Sequence, residues 1–273
     1  MRFLFVGDIV GRSGRAALLA LLPKLREDWQ LDFVVVNGEN AAGGFGINEA
    51  ILEEFLAAGA DAVTLGNHAF DQRETLAFIE RHPRLIRPAN FPAGAPGRGA
   101  AILNSAKGAR VLVVNMMGRV FMDSLDDPFR RINEELAAYR IGYECDAVFV
   151  DFHAEATSEK QAFGHYVDGR VSLCAGTHTH TPSADARILS GGTGYITDVG
   201  MTGDYDTVIG MAKGEPLHRF VHKIPGGRFE PGAGEATLCG VAAEIGDDGR
   251  SKKIAPVRIG PWLEPAGPAF WGA

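Results

Sequence analysis

Short, uniformly apolar runs that each close on a glycine constrain this chain more than any other feature. RFLFVG (2–7), DFVVVNG (32–38) and DAVTLG (61–66) lack the in–out alternation of a half-exposed strand. Such runs suit strands covered on both faces. Helical stretches separate them. The first spans roughly 13–28. The second is NEAILEEFLAAG, with Asn48 as N-cap, Ile51, Leu52, Phe55 and Leu56 on one face, and Gly59 as the stop. A third is expected over 71–81, and the prolines of HPRLIRPANFP make the next segment a loop or an edge strand. Strand–helix–strand alternation implies parallel pairing with right-handed crossovers.

ARVLVVNMMG (109–118) and DAVFVDFH (146–153) read as further central strands, joined by the helix DPFRRINEELAAYR, and VSLCAG (171–176) as another. Beyond it, glycine-rich runs such as SGGTGYITDVGMTGDYD signal antiparallel hairpins and long loops. No repeat and no linker divides the chain. Residues 1–258 are therefore expected to form one domain, and 259–273 a Pro/Gly-rich irregular tail. Its tryptophans could pack on the body or on another subunit, which leaves a homo-oligomer open.

A formal net charge of −7 argues against a broad nucleic-acid face, because tracking a duplex needs clustered Lys and Arg. It leaves room for a small phosphorylated ligand held by metal. The cysteines, Cys145, Cys174 and Cys239, are scattered and odd in number, which suits buried thiols in a reducing compartment. MRFLFVGD has too short an apolar run for a signal peptide, and no stretch approaches a membrane span. The expectation is a cytoplasmic protein without a membrane partner.

Polar residues follow the apolar runs at regular places. Asp8 follows the first, Glu39 and Asn40 the second, Asn67 and His68 the third, His153 the run VFVDF, and His178 the run LCAG. Carboxyl ends of parallel strands converge on one edge, where such sheets bind ligands. Taken singly, Asp8 could cap a helix, Asn67 make a turn, and His153 be a satisfied core residue; their joint placement favours a site. His178 and His180 stand two apart in CAGTHTHTPSA, and in extended backbone they would share a face. Carboxylate, amide and imidazole without thiolate suit manganese, iron, zinc or magnesium. The ligands are too many for one tetrahedral ion, and two ions about 3.5–4 Å apart are built for phosphate-ester hydrolysis.

GD (7–8), NGEN (37–40), GNH (66–68), DFHAEATSEK (151–160) and GTHTHT (176–181) resemble the motifs of calcineurin-like metallophosphoesterases. RPANFP (87–92), LDDPF (125–129) and ITDVGMTG (196–203) are similar to the YmdB-type branch, and the likeness runs to about residue 245. The wider superfamily begins Asp-x-His; here the third position is Val10, and the second motif carries Glu39 and Asn40, as in that branch. The resemblance implies an α/β four-layer sandwich with two mixed sheets flanked by helices. It implies Asp8, Glu39, Asn40 and His180 around one ion, iron or manganese ahead of zinc or magnesium. Glu39 would bridge to a second ion held by Asn67, His153 and His178, and His68 would be the proton donor.

The implied activity is hydrolysis of 2',3'-cyclic or 3',5'-cyclic nucleotides, with a metal-activated water attacking in line and His68 protonating the leaving oxygen. A phosphomonoesterase or 5'-nucleotidase on the same site, and a slow-turnover nucleotide-binding regulatory protein, are the other readings. Arg12, Arg119 and Lys160 could each contact phosphate, but surface charge or helix capping explains them as well. Glu155 could orient a ligand or cap the helix starting near Thr157, and capping is the plainer reading. AAGGFG (41–46) lacks the ending of a phosphate-binding loop. His82, His165 and His218 read as unpartnered surface residues.

Overall fold

A computed structural model describes residues 1–272. In chain order its elements are β1 (Arg2–Val6), α1 (Gly11–Asp28), β2 (Phe33–Asn37), α2 (Glu49–Ala57), β3 (Ala62–Thr64), α3 (Thr75–Phe78) and β4 (Leu85–Ile86). Next come β5 (Ala100–Asn104), β6 (Arg110–Met117), α4 (Pro128–Ala137), β7 (Ala147–His153), α5 (Thr157–Tyr166) and β8 (Leu173–Thr177). Then follow β9 (Arg187–Ile188), β10 (Gly194–Ile196), α6 (Gly214–His222), β11 (Leu238–Ile245) and β12 (Ser251–Ile259).

The strands form two six-stranded sheets among the described residues, ordered β12-β11-β1-β2-β3-β4 and β5-β6-β7-β8-β10-β9. Both are mixed. β1, β2, β3 and β4 run parallel, with β11 antiparallel beside β1 and β12 antiparallel to β11 at the edge. In the second sheet β6, β7, β8 and β10 run parallel, with antiparallel β5 and β9 on the edges.

The uniform apolarity of the runs now has its cause. Phe3 and Phe5 of β1, with Phe33 and Val35 of β2, face Val111, Val113 and Phe149 of the other sheet. The Phe149 ring lies 5.0 Å from Phe3 and 4.8 Å from Phe5. The alternate residues Leu4, Val6, Val34 and Val36 pack under Leu18 and Leu22 of α1 and Leu52 and Phe55 of α2. Ile132 of α4 and Phe163 of α5 cover Val148 and Val150 on the far sheet. Each buried side chain of this size contributes roughly 1.5–3 kcal/mol. The result is the expected sandwich: helices, sheet, sheet, helices.

Local details depart from expectation. The helix expected over 71–81 is only α3 followed by a 3-10 turn, Ile79–Arg81. Its first residues are spent on anchoring: Gln72 Nε2 donates to Phe45 O (2.6 Å) and Thr75 Oγ1 to Ile47 O (2.9 Å). β4 is the edge strand that the prolines indicate. His82 is not an unpartnered surface residue; it sits between Glu49 (2.7 Å) and Glu53 (3.3 Å). His218 also has a partner, the His222 ring one helical turn on, at 4.7 Å. In the tail, Trp271 packs against Trp29 of the body at 5.9 Å, while Trp262 is 45% exposed. Ala273, the last tail residue, lies outside the described residues. All three cysteines are buried and free. No described helix is long and apolar enough to cross a membrane.

Candidate metal centre

Every residue singled out at a strand end comes to one place between the two sheets. Asp8 leaves β1, Glu39 and Asn40 leave β2, Asn67 and His68 follow β3, His153 ends β7, and His178 and His180 follow β8. Three acceptors meet at one nitrogen. His153 Nε2 lies 2.9 Å from Asn67 Oδ1, 3.0 Å from Glu39 Oε1 and 3.1 Å from His178 Nδ1.

The tautomer of His153 follows from its other side. Thr177 Oγ1 donates to Asp151 Oδ1 (2.6 Å), so it must accept from His153 Nδ1–H, 2.9 Å away. Asp151 is in turn held by Thr64 Oγ1 (2.6 Å) and Asn37 Nδ2 (3.0 Å). In the neutral ring Nε2 therefore presents a lone pair to other lone pairs. Such a convergence is stable only with a positive charge at its centre, a proton or a metal ion. The hydrogen-bonded rear nitrogen is the arrangement that orients metal-binding histidines.

A second group of donors lies alongside. Asp8 Oδ1 and Asn40 Oδ1 are buried without a hydrogen-bond partner among the described residues. Buried polar atoms are almost always paired, and a bound ion accounts for orphans of this kind. The other oxygen of Asp8 accepts from the His178 backbone N–H at 3.2 Å, and Asn40 Nδ2 donates to Gly44 O at 3.0 Å. His180 gives Nδ1–H to Ile209 O (2.8 Å), leaving Nε2 available. The residues thus fit metal: Glu39, His153 and His178 offer ligand atoms all within 4.8 Å of one another, with further free donor atoms on Asp8, Asn40 and His180.

The buried charges of the cluster act strongly on one another. Burial pushes Asp8 above the usual carboxylate range. Burial works the same way on Glu39, but His153 and His68 outweigh it and hold Glu39 at about 2. Burial and the adjacent His153 charge lower His178 to about 3, so its ring stays neutral. Gly66 is needed between these groups, since a Cβ there would lie 2.3 Å from Glu39 Oε2 and 2.4 Å from His153 Nε2.

His178 and His180 are not in extended backbone. Their φ angles are +97° and +64°, in the left-handed region that side chains avoid, at a cost of about 1–3 kcal/mol each. The turn that separates the two imidazoles is clamped from behind. Lys160, 1% exposed, donates to Thr177 O and to Asp198 Oδ2, each at 2.7 Å. Asp198 Oδ2 also accepts from Thr179 N (3.1 Å) and Thr179 Oγ1 (2.7 Å). Lys160 is therefore neither a surface charge nor a cap. Glu155 does not cap α5 either: the N-cap is Ala156, and Glu155 Oε2 stands 3.3 Å from His178 Nε2. Arg119 pairs with Asp127 at 3.1 Å.

His68 occupies the open side of the cluster. Its backbone N–H donates to Glu39 Oε2 at 3.1 Å, and its Nδ1 lies 2.8 Å from Asp71 Oδ2. The ring meets Phe45 edge-on at 5.1 Å. It lines a pocket of about 420 Å³ that also takes in Glu39, Asn40, His178 and His180 and is walled by α6 and the preceding loop. A larger cleft of about 1060 Å³, lined by Arg12, Arg15 and Pro231, contains none of the clustered side chains. Sequence reasoning did not single out Asp151, Thr177, Asp198 or the α6 wall. Asp151 alone left a signal, a carboxylate inside an otherwise apolar strand.

A two-sheet αββα sandwich with carboxylate, amide and imidazole donors gathered at its strand ends is the architecture of a metallophosphoesterase. Similarity to known proteins narrows this class. The family model described as YmdB-like protein matches residues 4–257, and the chain belongs to that family. A 2',3'-cyclic-nucleotide 2'-phosphodiesterase of Bacillus subtilis (strain 168) is 48% identical over 261 residues, 95% of this chain and 96% of that protein. The crystal structure of a hypothetical protein from Thermus thermophilus shares 42% identity at TM-score 0.89, covering 95% of this chain and 99% of that one. A Mycoplasma pneumoniae structure, described as that of a novel phosphatase, shares 33% identity at TM-score 0.88, covering 100% and 96%.

Proposed function

We propose that the chain is a dinuclear metal-dependent phosphodiesterase acting on cyclic nucleotides, 2',3'-cyclic first among them. The observation that carries this reading is the convergence of Glu39, Asn67 and His178 on His153 Nε2, beside the orphaned oxygens of Asp8 and Asn40. Asn67, His153 and His178 would hold one ion, Asp8, Asn40 and His180 the other, and Glu39 would bridge them. Donors of this type suit iron or manganese, with zinc or magnesium as the other candidates. When bound, such a pair supplies Lewis-acid charge to phosphoryl oxygens and lowers the pKa of water.

The chain's own residues supply the remainder. Asp71 holds His68 Nδ1, which points the opposite ring nitrogen away from that carboxylate. His68 then delivers a proton to the ribose oxygen as it departs in line from phosphorus. The name of the Bacillus relative specifies the 2' bond, and the oxygen protonated here would be the ribose 2' oxygen. The acidic balance of the chain supports a small nucleotide over a duplex.

The likeness to the Mycoplasma phosphatase favours a second reading, a phosphomonoesterase. Parallel kcat/KM measurements on 2',3'-cyclic AMP and on 2'-AMP and 3'-AMP with metal-loaded protein separate the two. A higher value on the cyclic diester is expected; an equal or higher value on a monoester overturns the phosphodiesterase reading.

A further inference from the structure

Beyond the clustered donors, the 420 Å³ pocket is built from aromatic and aliphatic side chains, and its volume falls in the range of roughly 300–1,000 Å³ typical of small-molecule sites. Phe45 forms one wall beside His68, and Phe229 and Met211 lie further along. Phe220 of α6 stands at the mouth, 70% exposed although it lines the pocket. Lys223 Nζ lies 5.8 Å from its ring centroid, and a large ring otherwise left in water next to a polar cluster is a stacking face. The cations nearby are donors only. Arg219 lies over the Phe229 ring at 4.1 Å and is already committed to Glu215 Oε1 (2.5 Å) and Gly227 O (3.0 Å). Away from the cluster, the pocket is lined by no amide or hydroxyl side chain among the described residues that could read the edge of a base.

We propose that Phe220, with Phe45 and Phe229, forms a nucleobase subsite that stacks any of the four bases and discriminates among none of them. The inference rests on the cyclic-nucleotide reading and extends it. The substrate is recognised as a nucleotide by the flat face of its base, while its base identity is not read. Stacking of a base on an aromatic side chain is sequence-tolerant because every base offers a π face.

The test uses the metal-loaded full chain and five substrates: the 2',3'-cyclic monophosphates of adenosine, guanosine, cytidine and uridine, and base-free glycerol 1,2-cyclic phosphate. Wild-type kcat/KM values for the four nucleotides should agree within about tenfold and exceed that for the glycerol diester. In Phe220→Ala the ratio of nucleotide to glycerol kcat/KM should fall roughly 5- to 150-fold, the range that stacking confers. Phe220→Trp should restore the ratio. Val221→Ala, exposed on the same helix outside the pocket, should leave it unchanged. An unchanged ratio in Phe220→Ala, or a preference above about 100-fold for one base, overturns the subsite while leaving the phosphodiesterase reading intact. If the wild type cleaves none of the five, that reading fails. The same ratio, taken between nucleoside monophosphates and glycerol phosphate, then decides the subsite by the same criterion.

Discussion

With Thr177 taking its Nδ1 proton, His153 has only Nε2 to offer the cluster, and what occupies that nitrogen governs the pH behaviour of the site. Burial opposes the imidazolium, but the charges of Glu39, Asp8 and Asp151 outweigh it and raise His153 from 6.5 to about 9. In metal-free protein a proton on Nε2 stands where a cation would. Because the folded pKa is raised, the stabilisation is complete below about 6.5 and is lost as pH rises through about 9. Tm of the stripped protein should therefore fall across that window. Metal must displace the proton, so apparent affinity should rise over the same range. Titration calorimetry in buffers of different ionisation enthalpy reads the released proton; no release contradicts His153 as a ligand. His68 makes a different prediction. His68→Ala should keep its metals and lose about 10²–10⁴-fold on a cyclic nucleotide, whose alkoxide leaves only with a proton. The loss on a p-nitrophenyl diester, whose leaving group departs as an anion, should be much smaller. Equal losses on both substrates would assign His68 another role.

The left-handed turn after β8 depends on elements far from it in sequence: Lys160 lies in α5 and Asp198 follows β10. Removing one partner of a buried ion pair costs on the order of 3–5 kcal/mol, because the other charge stays buried. Lys160→Met should lower the urea midpoint accordingly and weaken metal binding, since Thr177 O and Asp198 lose the group that joins them. A midpoint and metal affinity equal to wild type would show that the turn holds itself. Here the limits of sequence reading are physical. Strand ends are legible, because a doubly buried strand is mostly apolar along its length and Asp8, Glu39, Asn67 and His153 stand where the apolar runs stop. The turn is not, since nothing local to GTHTHT announces that Asp198 will hold it left-handed. Likewise α3 is short because Gln72 and Thr75 bond to the 45–47 loop, a tertiary choice that helix periodicity cannot register.

At the scale of the molecule, both sheets are needed to make one centre. Asp8, Glu39, Asn40 and Asn67 come from the first sheet, His153, His178 and His180 from the second, and the Phe3–Phe149–Phe5 packing holds the sheets in register. The two sheets were legible only through the resemblance to metallophosphoesterases, since apolar runs and strand–helix alternation imply parallel pairing but do not say how many sheets the strands divide into. The α6 wall was not, because its exposed Phe220 has a purpose only beside a cluster assembled from distant segments. The proposed function requires these segments together to hold two ions through a shared Glu39. Metal content per chain, measured by elemental analysis after loading and gel filtration of wild type and Glu39→Ala, tests it most directly. Two ions per chain are expected in the wild type, with a loss at both positions in a Glu39→Ala protein that still unfolds cooperatively. A single ion in the wild type, or two fully occupied positions without Glu39, would contradict it.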